Sequence, residues 1–200
     1  QSFPIAGSKF KYGFHADLDV WQDQFSQEIR LNRSLSDAVY LTLGAYYFEQ
    51  DLVYNEDREL LGGAVFVNGG GAQNQSTKAL FGQVDYDLTD TLTLNFGARY
   101  TSEDKDVVIS SLINAEECDP RISGSCSEDF EDNGSWQNFT PKLGFQWSQS
   151  DAVNIYGHWT RGVRSGGYNF RNGNPDMPPG PTDEEVVDAL ELGIKTLLPN

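Results

Sequence analysis

Nowhere in its 200 residues does this chain run eighteen apolar residues together, so it holds no helix able to cross a bilayer. Basic residues are scarce, 14 Lys and Arg against 30 Asp and Glu, for a formal net charge of -16. That argues against nucleic acid as a partner, because such partners are met by a basic face. Histidine is nearly absent: His15 and His158 stand far apart, and neither sits in a metal-ligand spacing. The glycine clusters at 69–71 and 164–169 lack a phosphate-loop lysine and follow no strand–helix unit. No constellation for covalent chemistry or for a cofactor emerges, and the chain reads as a non-enzyme. It has no initiator Met and no basic–apolar leader. It opens at Gln1 in mid-pattern and reads as an internal piece of something longer.

What is present is a phrase written three times: "SDAVYL" at 36–41, "TDTLTL" at 89–94 and "SDAVNI" at 150–155. Each is flanked by strict alternation. After the second, Leu92, Leu94, Phe96, Ala98 and Tyr100 share one parity, while Thr93, Asn95, Gly97 and Arg99 take the other. Before it, Leu80, Val84, Tyr86 and Leu88 oppose Phe81, Gln83, Asp85 and Asp87. A period of two with one apolar and one polar side is a β-strand. The phrases are therefore tight hairpin turns, near 33–37, 88–91 and 148–152, whose polar side chains can bond their own backbone. The intervening connections, about 51–76, 102–136 and 165–186, are long and rich in Gly, Asn, Asp and Glu. About eight strands follow, near 8–16, 24–32, 38–49, 77–87, 91–108, 137–148, 152–164 and 187–197. Short turns at one end with long loops at the other is the asymmetry of a transmembrane barrel.

The rival architecture is a soluble β-sandwich for carbohydrate binding or adhesion, whose apolar parity would face a second sheet. Three features favour lipid. Each apolar stripe covers about nine residues, which at ~3.3 Å per residue and a tilt near 40° rises about 20–25 Å, the height of a barrel's apolar band. Tyr47, Tyr100, Phe139 and Trp159 gather toward the long loops, and Tyr86 and Trp147 toward the short turns, as interfacial girdles do. The opposite parity is polar and of both signs, as a lumen requires. Leu92, Leu94, Phe96, Leu143, Phe145, Val153 and Ile155 are the expected lipid-facing residues.

The succession "FSQEIRL", "GAYYFEQDL", "ALFGQVDYDLTDTLTLNFGARYTSEDKD", "WQNFTPKLGFQW", "VNIYGHWTRGVRSGGYN" and "VVDALELGIKTLL" resembles the middle barrel strands of TonB-dependent outer-membrane receptors, over about residues 24–197. The resemblance implies an all-β, antiparallel, up-and-down transmembrane barrel segment, residues 1–200 supplying about a third of a 22-stranded wall. In isolation such a segment is expected to be an open, curved sheet. It implies residence in the outer membrane of a Gram-negative bacterium. It implies import of a scarce solute such as a ferric siderophore, driven through an N-terminal plug, absent here, and the TonB complex. A passive porin is the alternative within the membrane class.

Three arginines are the candidate lumen contacts with a solute: Arg99, by parity, and Arg161 and Arg164, where their strand leaves the apolar band. They attract anionic ligands, or else pair with acidic neighbours or with the plug. In the longest loop Cys118 and Cys126 are positioned for a disulfide of an exported protein. Ten acidic residues between Glu103 and Asp132 crowd the same loop, in no EF-hand spacing, and read as a hydrated segment rather than a calcium site. The Pro-rich "NGNPDMPPGPTDEE" is expected to be extended.

Overall fold

The computed structural model describes residues 2–3, 13–122, 124–127, 130–174 and 176–197. The strands are β1 (Ser2–Phe3), β2 (Phe14–Ser36), β3 (Val39–Leu60), β4 (Val65–Thr89), β5 (Leu92–Asn114), β6 (Phe130–Ser150), β7 (Val153–Arg164) and β8 (Glu185–Thr196). They form one antiparallel sheet in chain order, β1 to β8, whose two edges do not meet. The expected all-β, up-and-down, open arrangement is what is seen. The first expected strand, 8–16, lies mostly outside the described residues; its end is the start of β2.

The thrice-written phrase is one turn built three times. Asp37–Ala38, Asp90–Thr91 and Asp151–Ala152 are the turn residues. Each turn is preceded by a register shift, at Ser34/Ser36, Asp87/Thr89 and Ser148/Ser150. A hydroxyl caps the first two: Ser36 Oγ accepts from the Ala38 amide at 3.3 Å, and Thr89 Oγ1 from the Thr91 amide at 3.3 Å. The carbonyl of the second turn residue then accepts an amide from the next strand along: Asp87 to Ala38, Ser148 to Thr91 and Leu197 to Ala152. The first turn sits slightly beyond the expected 33–37, because Arg33 and Ser34 still pair with Leu41 and Tyr40.

At the other end the strands outrun expectation. The segment 51–76, expected as a loop, is strand except for a turn at 61–64. There Leu61, Gly62 and Gly63 take φ of 53°, 72° and 92°, a left-handed run that glycine permits at its last two positions. Strand β5 likewise continues to Asn114 and β6 begins at Phe130, shrinking the 102–136 loop. Alternation is a sign of strand only where one side is apolar. Beyond the apolar band both sides are polar, yet the backbone ladder still pairs Asn55 with Gly70 and Asp57 with Asn68.

Register carries the apolar parity across the sheet in rows. Ile29, Ala45, Leu80, Tyr100 and Phe139 form one; Leu41, Val84, Phe96, Leu143, Trp159 and Leu190 another; Tyr86, Leu94, Phe145, Gly157 and Leu192 a third. Leu92, Trp147, Ile155 and Ile194 close the turn end, where Val153 opens β7. No second sheet or helix among the described residues covers this face, and Ile29, Leu192 and Leu190 are 70%, 75% and 84% exposed. The opposite face is polar, with Thr42, Gln83 and Lys142 in one row.

Within the polar face one aromatic is set into the wall. Phe81 lies over Gly44, where a Cβ would run into its ring. Gly44→Ala should therefore cost about 1–3 kcal/mol by overpacking, whereas Gly162→Ala, whose Cβ meets only the Val187 carbonyl at 4.0 Å, should leave stability unchanged or slightly raised. Urea unfolding of the vesicle-folded full-length protein compares the two.

Candidate functional site

The polar face divides into a mid-wall groove and a roofed region at the loop end. The roof is a strap, residues 165–174 and 176–184, within the expected loop 165–186 whose Pro-rich stretch 172–185 is expected to be extended. Instead it folds on itself: the Asn169 amide donates to the Pro179 carbonyl at 2.7 Å and the Thr182 amide to the Gly167 carbonyl at 2.8 Å. The strap then docks on the polar face of β3–β6. Phe170 stacks on Tyr54 with centroids 6.0 Å apart, Asn172 donates to Ser111 Oγ at 3.1 Å, and Tyr168 donates to Asp132 at 3.1 Å.

The strongest fastening is at Glu56, only 2% exposed. Arg171 of the strap reaches it at 2.8 and 2.9 Å, Arg58 at 2.7 Å and the Tyr54 hydroxyl at 2.5 Å. Burial pushes the Glu56 carboxyl up. The hydrogen bonds from Arg171, Arg58 and Tyr54 together outweigh it and hold the pKa down at about 2. Glu56 stands far past the apolar band, which ends near Tyr47. Between strap and wall lies a cleft of about 650 Å³, lined by Gln73, Gln75, Lys105, Asn169 and Thr182 among others. Lys105 is held there by Glu103 at 2.9 Å and by the Gly166 carbonyl at 2.7 Å, and lies 5.1 Å from the Trp136 ring centre.

The other long connection grips the same tip from the apolar-parity side. Cys118 and Cys126 form a disulfide, the Cys118 amide donates to Asn68 Oδ1 at 3.2 Å, and Arg121, bound to Asp119 at 2.7 Å, lies 3.8 Å over the Trp21 ring. No group of three metal-capable side chains occurs among the described residues; Glu128 and Asp129 of the acidic loop lie outside them.

The three candidate arginines separate. Arg99 takes the polar face as expected, with its guanidinium carbon 5.2 Å from the Tyr46 ring centre and 5.7 Å from that of Phe81. Arg164 also has polar parity but ends its strand, widely exposed, 3.5 Å from Glu185. Arg161 does not belong to the lumen set. It shares parity with Trp159 and Val163 on the apolar face, bound to Asp188 at 2.9 and 3.0 Å. Counted from Val153 it is an odd-numbered partner of the same stripe, and its partner Asp188 precedes Leu190 and Leu192 on theirs. Sequence reading missed the Glu56 latch, because its arginine lies 115 residues away.

A family model described as TonB dependent receptor-like, beta-barrel, matches residues 3–200. The chain belongs to that family. Its members are transport receptors of the Gram-negative outer membrane, whose barrels hold a plug domain that engages TonB. Among solved structures the chain is similar to the crystal structure of the ferric yersiniabactin uptake receptor FyuA from Yersinia pestis. The TM-score is 0.64 and the identity 17%, over 93% of this chain and 28% of that one. At that identity the likeness shows the fold, and the chain spans little more than a quarter of the receptor's length.

Glu56→Gln should free the strap, raising amide exchange over 168–174 about tenfold or more, since removing one member of a buried ion pair is strongly destabilising. A carboxyl whose folded pKa lies below its ordinary 4.5 stabilises above that value and loses its contribution as pH falls toward the folded one. Wild-type exchange in the strap, corrected for intrinsic rate, should therefore be low from pH 7 to about 4.5 and approach that of the variant as pH falls to about 2.

Proposed function

We propose that this chain is barrel wall of an outer-membrane transporter that imports a scarce solute, such as a ferric siderophore, with energy supplied through TonB. The observation that carries the reading is the uncovered apolar face: rows of aliphatic and aromatic side chains run across seven long strands with no second layer against them among the described residues. Lipid is the solvent such a face fits. Leu92, Leu94, Phe96, Leu143, Phe145, Val153 and Ile155 then face hydrocarbon, the repeated turns lie at the periplasmic end, and the strap and disulfide loop lie outside the cell.

Family membership favours active import over a passive porin. In this reading the wall performs no covalent chemistry. The loops receive the solute, the plug is worked by TonB, and the polar face lines the route that opens. Arg99 at mid-wall and Arg164 at the rim are the arginines offered to an anionic solute, by charge and forked hydrogen bonds.

In the full-length protein folded into lipid vesicles, Phe96→Arg should cost about 2–4 kcal/mol, the penalty of a charge near the bilayer midplane. Asn95→Arg, on the polar face, should cost far less. Equal penalties, or a full-length protein that is monomeric in water without detergent, would remove the membrane reading.

A further inference from the structure

On the polar face near mid-depth, the cations are arranged differently from those at the loop end. At the loop end of that face Arg58 and Arg171 are ion-paired with Glu56, Lys105 with Glu103 and Arg164 with Glu185. At mid-wall, Arg30, Arg99 and Lys142 line one groove of about 470 Å³ with a single carboxylate, Glu28. Glu28 is engaged by Arg30. Neither Arg99 nor Lys142 has a carboxylate partner among the described residues.

Arg99 is also held in place. Its guanidinium lies over Tyr46 and Phe81. Its Nε donates to Thr101 Oγ1 at 3.1 Å, and Phe81 is itself fixed over Gly44 and faces Arg30 at 5.7 Å. The two terminal nitrogens of Arg99 donate to no described residue. Lys142 pairs in register with Gly97, which carries no side chain to cover it, and Thr140 pairs with Arg99. With Glu28 offsetting Arg30, Arg99 and Lys142 leave the groove positively charged; the two repel one another, and the repulsion is relieved when an anion enters. A stacked guanidinium with its fork open is preorganised to bind a planar oxyanion in two-pronged fashion.

We propose that Arg99 and Lys142, with Arg30 beside them, form an anion station on the solute route. It takes a carboxylate, phosphate or sulfonate group carried by the solute. The inference rests on the transporter reading above. The field of the acidic loop residues is screened within about 8 Å at physiological salt, so it does not cancel the station at mid-wall.

The test uses the full-length receptor in detergent micelles at physiological salt. The probe is the fluorescent trisulfonate 8-hydroxypyrene-1,3,6-trisulfonate, read by polarisation. Wild type should bind saturably and more weakly as salt rises. Arg99→Gln should weaken binding about tenfold, the weight of one charge-assisted hydrogen bond, and Lys142→Gln by a smaller factor. Arg99→Lys should recover part of the loss. Lys78→Gln, the same charge change on the apolar parity, should leave binding unchanged. Heat-modifiable gel migration confirms that each variant is folded. A folded wild-type receptor that binds no dye overturns the station, as when carboxylates of another protein segment already fill it. So does an equal loss in Lys78→Gln. A receptor that never reaches a detergent-dependent folded state overturns instead the transporter reading beneath it.

Discussion

Everything in this sheet depends on one constraint, that backbone amides and carbonyls be satisfied sideways, strand to strand, while side chains point alternately to two media. A chain that meets hydrocarbon on one side has no water there to accept an orphaned amide. The ladder must therefore run unbroken through the apolar band, and it does from β2 to β8. Because the side-chain period is two, a slip of one residue anywhere would put a stripe such as Leu92–Leu94–Phe96 on the polar side. The turns guard against this. Each repeated phrase places one bulge and two turn residues at the same point of the hairpin, and so resets the register before every rising strand.

The parts legible in the sequence were those where this two-sided contrast is sharp. Between Val39 and Tyr47, or Leu92 and Tyr100, alternation marks strand, face and extent together. Past the band the contrast fades. Asn55, Asp57 and Glu59 sit opposite Arg58, Glu56 and Tyr54, and no hydropathy pattern tells that such a segment is still strand. The expected loop at 51–76 failed for that reason. Arg161 was misassigned from a related cause: near the end of a stripe a polar residue can hold an apolar position. Here the cross-strand partner Asp188 compensates it. Arg99 was legible because its neighbours Leu94, Phe96 and Ala98 fix the parity beyond doubt.

The latch at Glu56 belongs to another class of feature. It joins β3 to the strap, and its energetics arise from burial with two arginines and a tyrosine around one carboxylate. Composition shows only an acid among many acids. The mid-wall groove was half legible: the parity of Arg99 is in the sequence, but its stacking between Tyr46 and Phe81 depends on register across three strands.

The β3–β4 tip is bound on opposite sides by two connections that share no residue, the strap through Arg171 and Phe170 and the disulfide loop through Cys118, while Arg121 of that loop reaches Trp21 of β2. A plate clamped between two jaws cannot flap. Loss of either connection therefore leaves the tip held by the other, and the disulfide, which joins residues eight apart, stiffens only its own jaw.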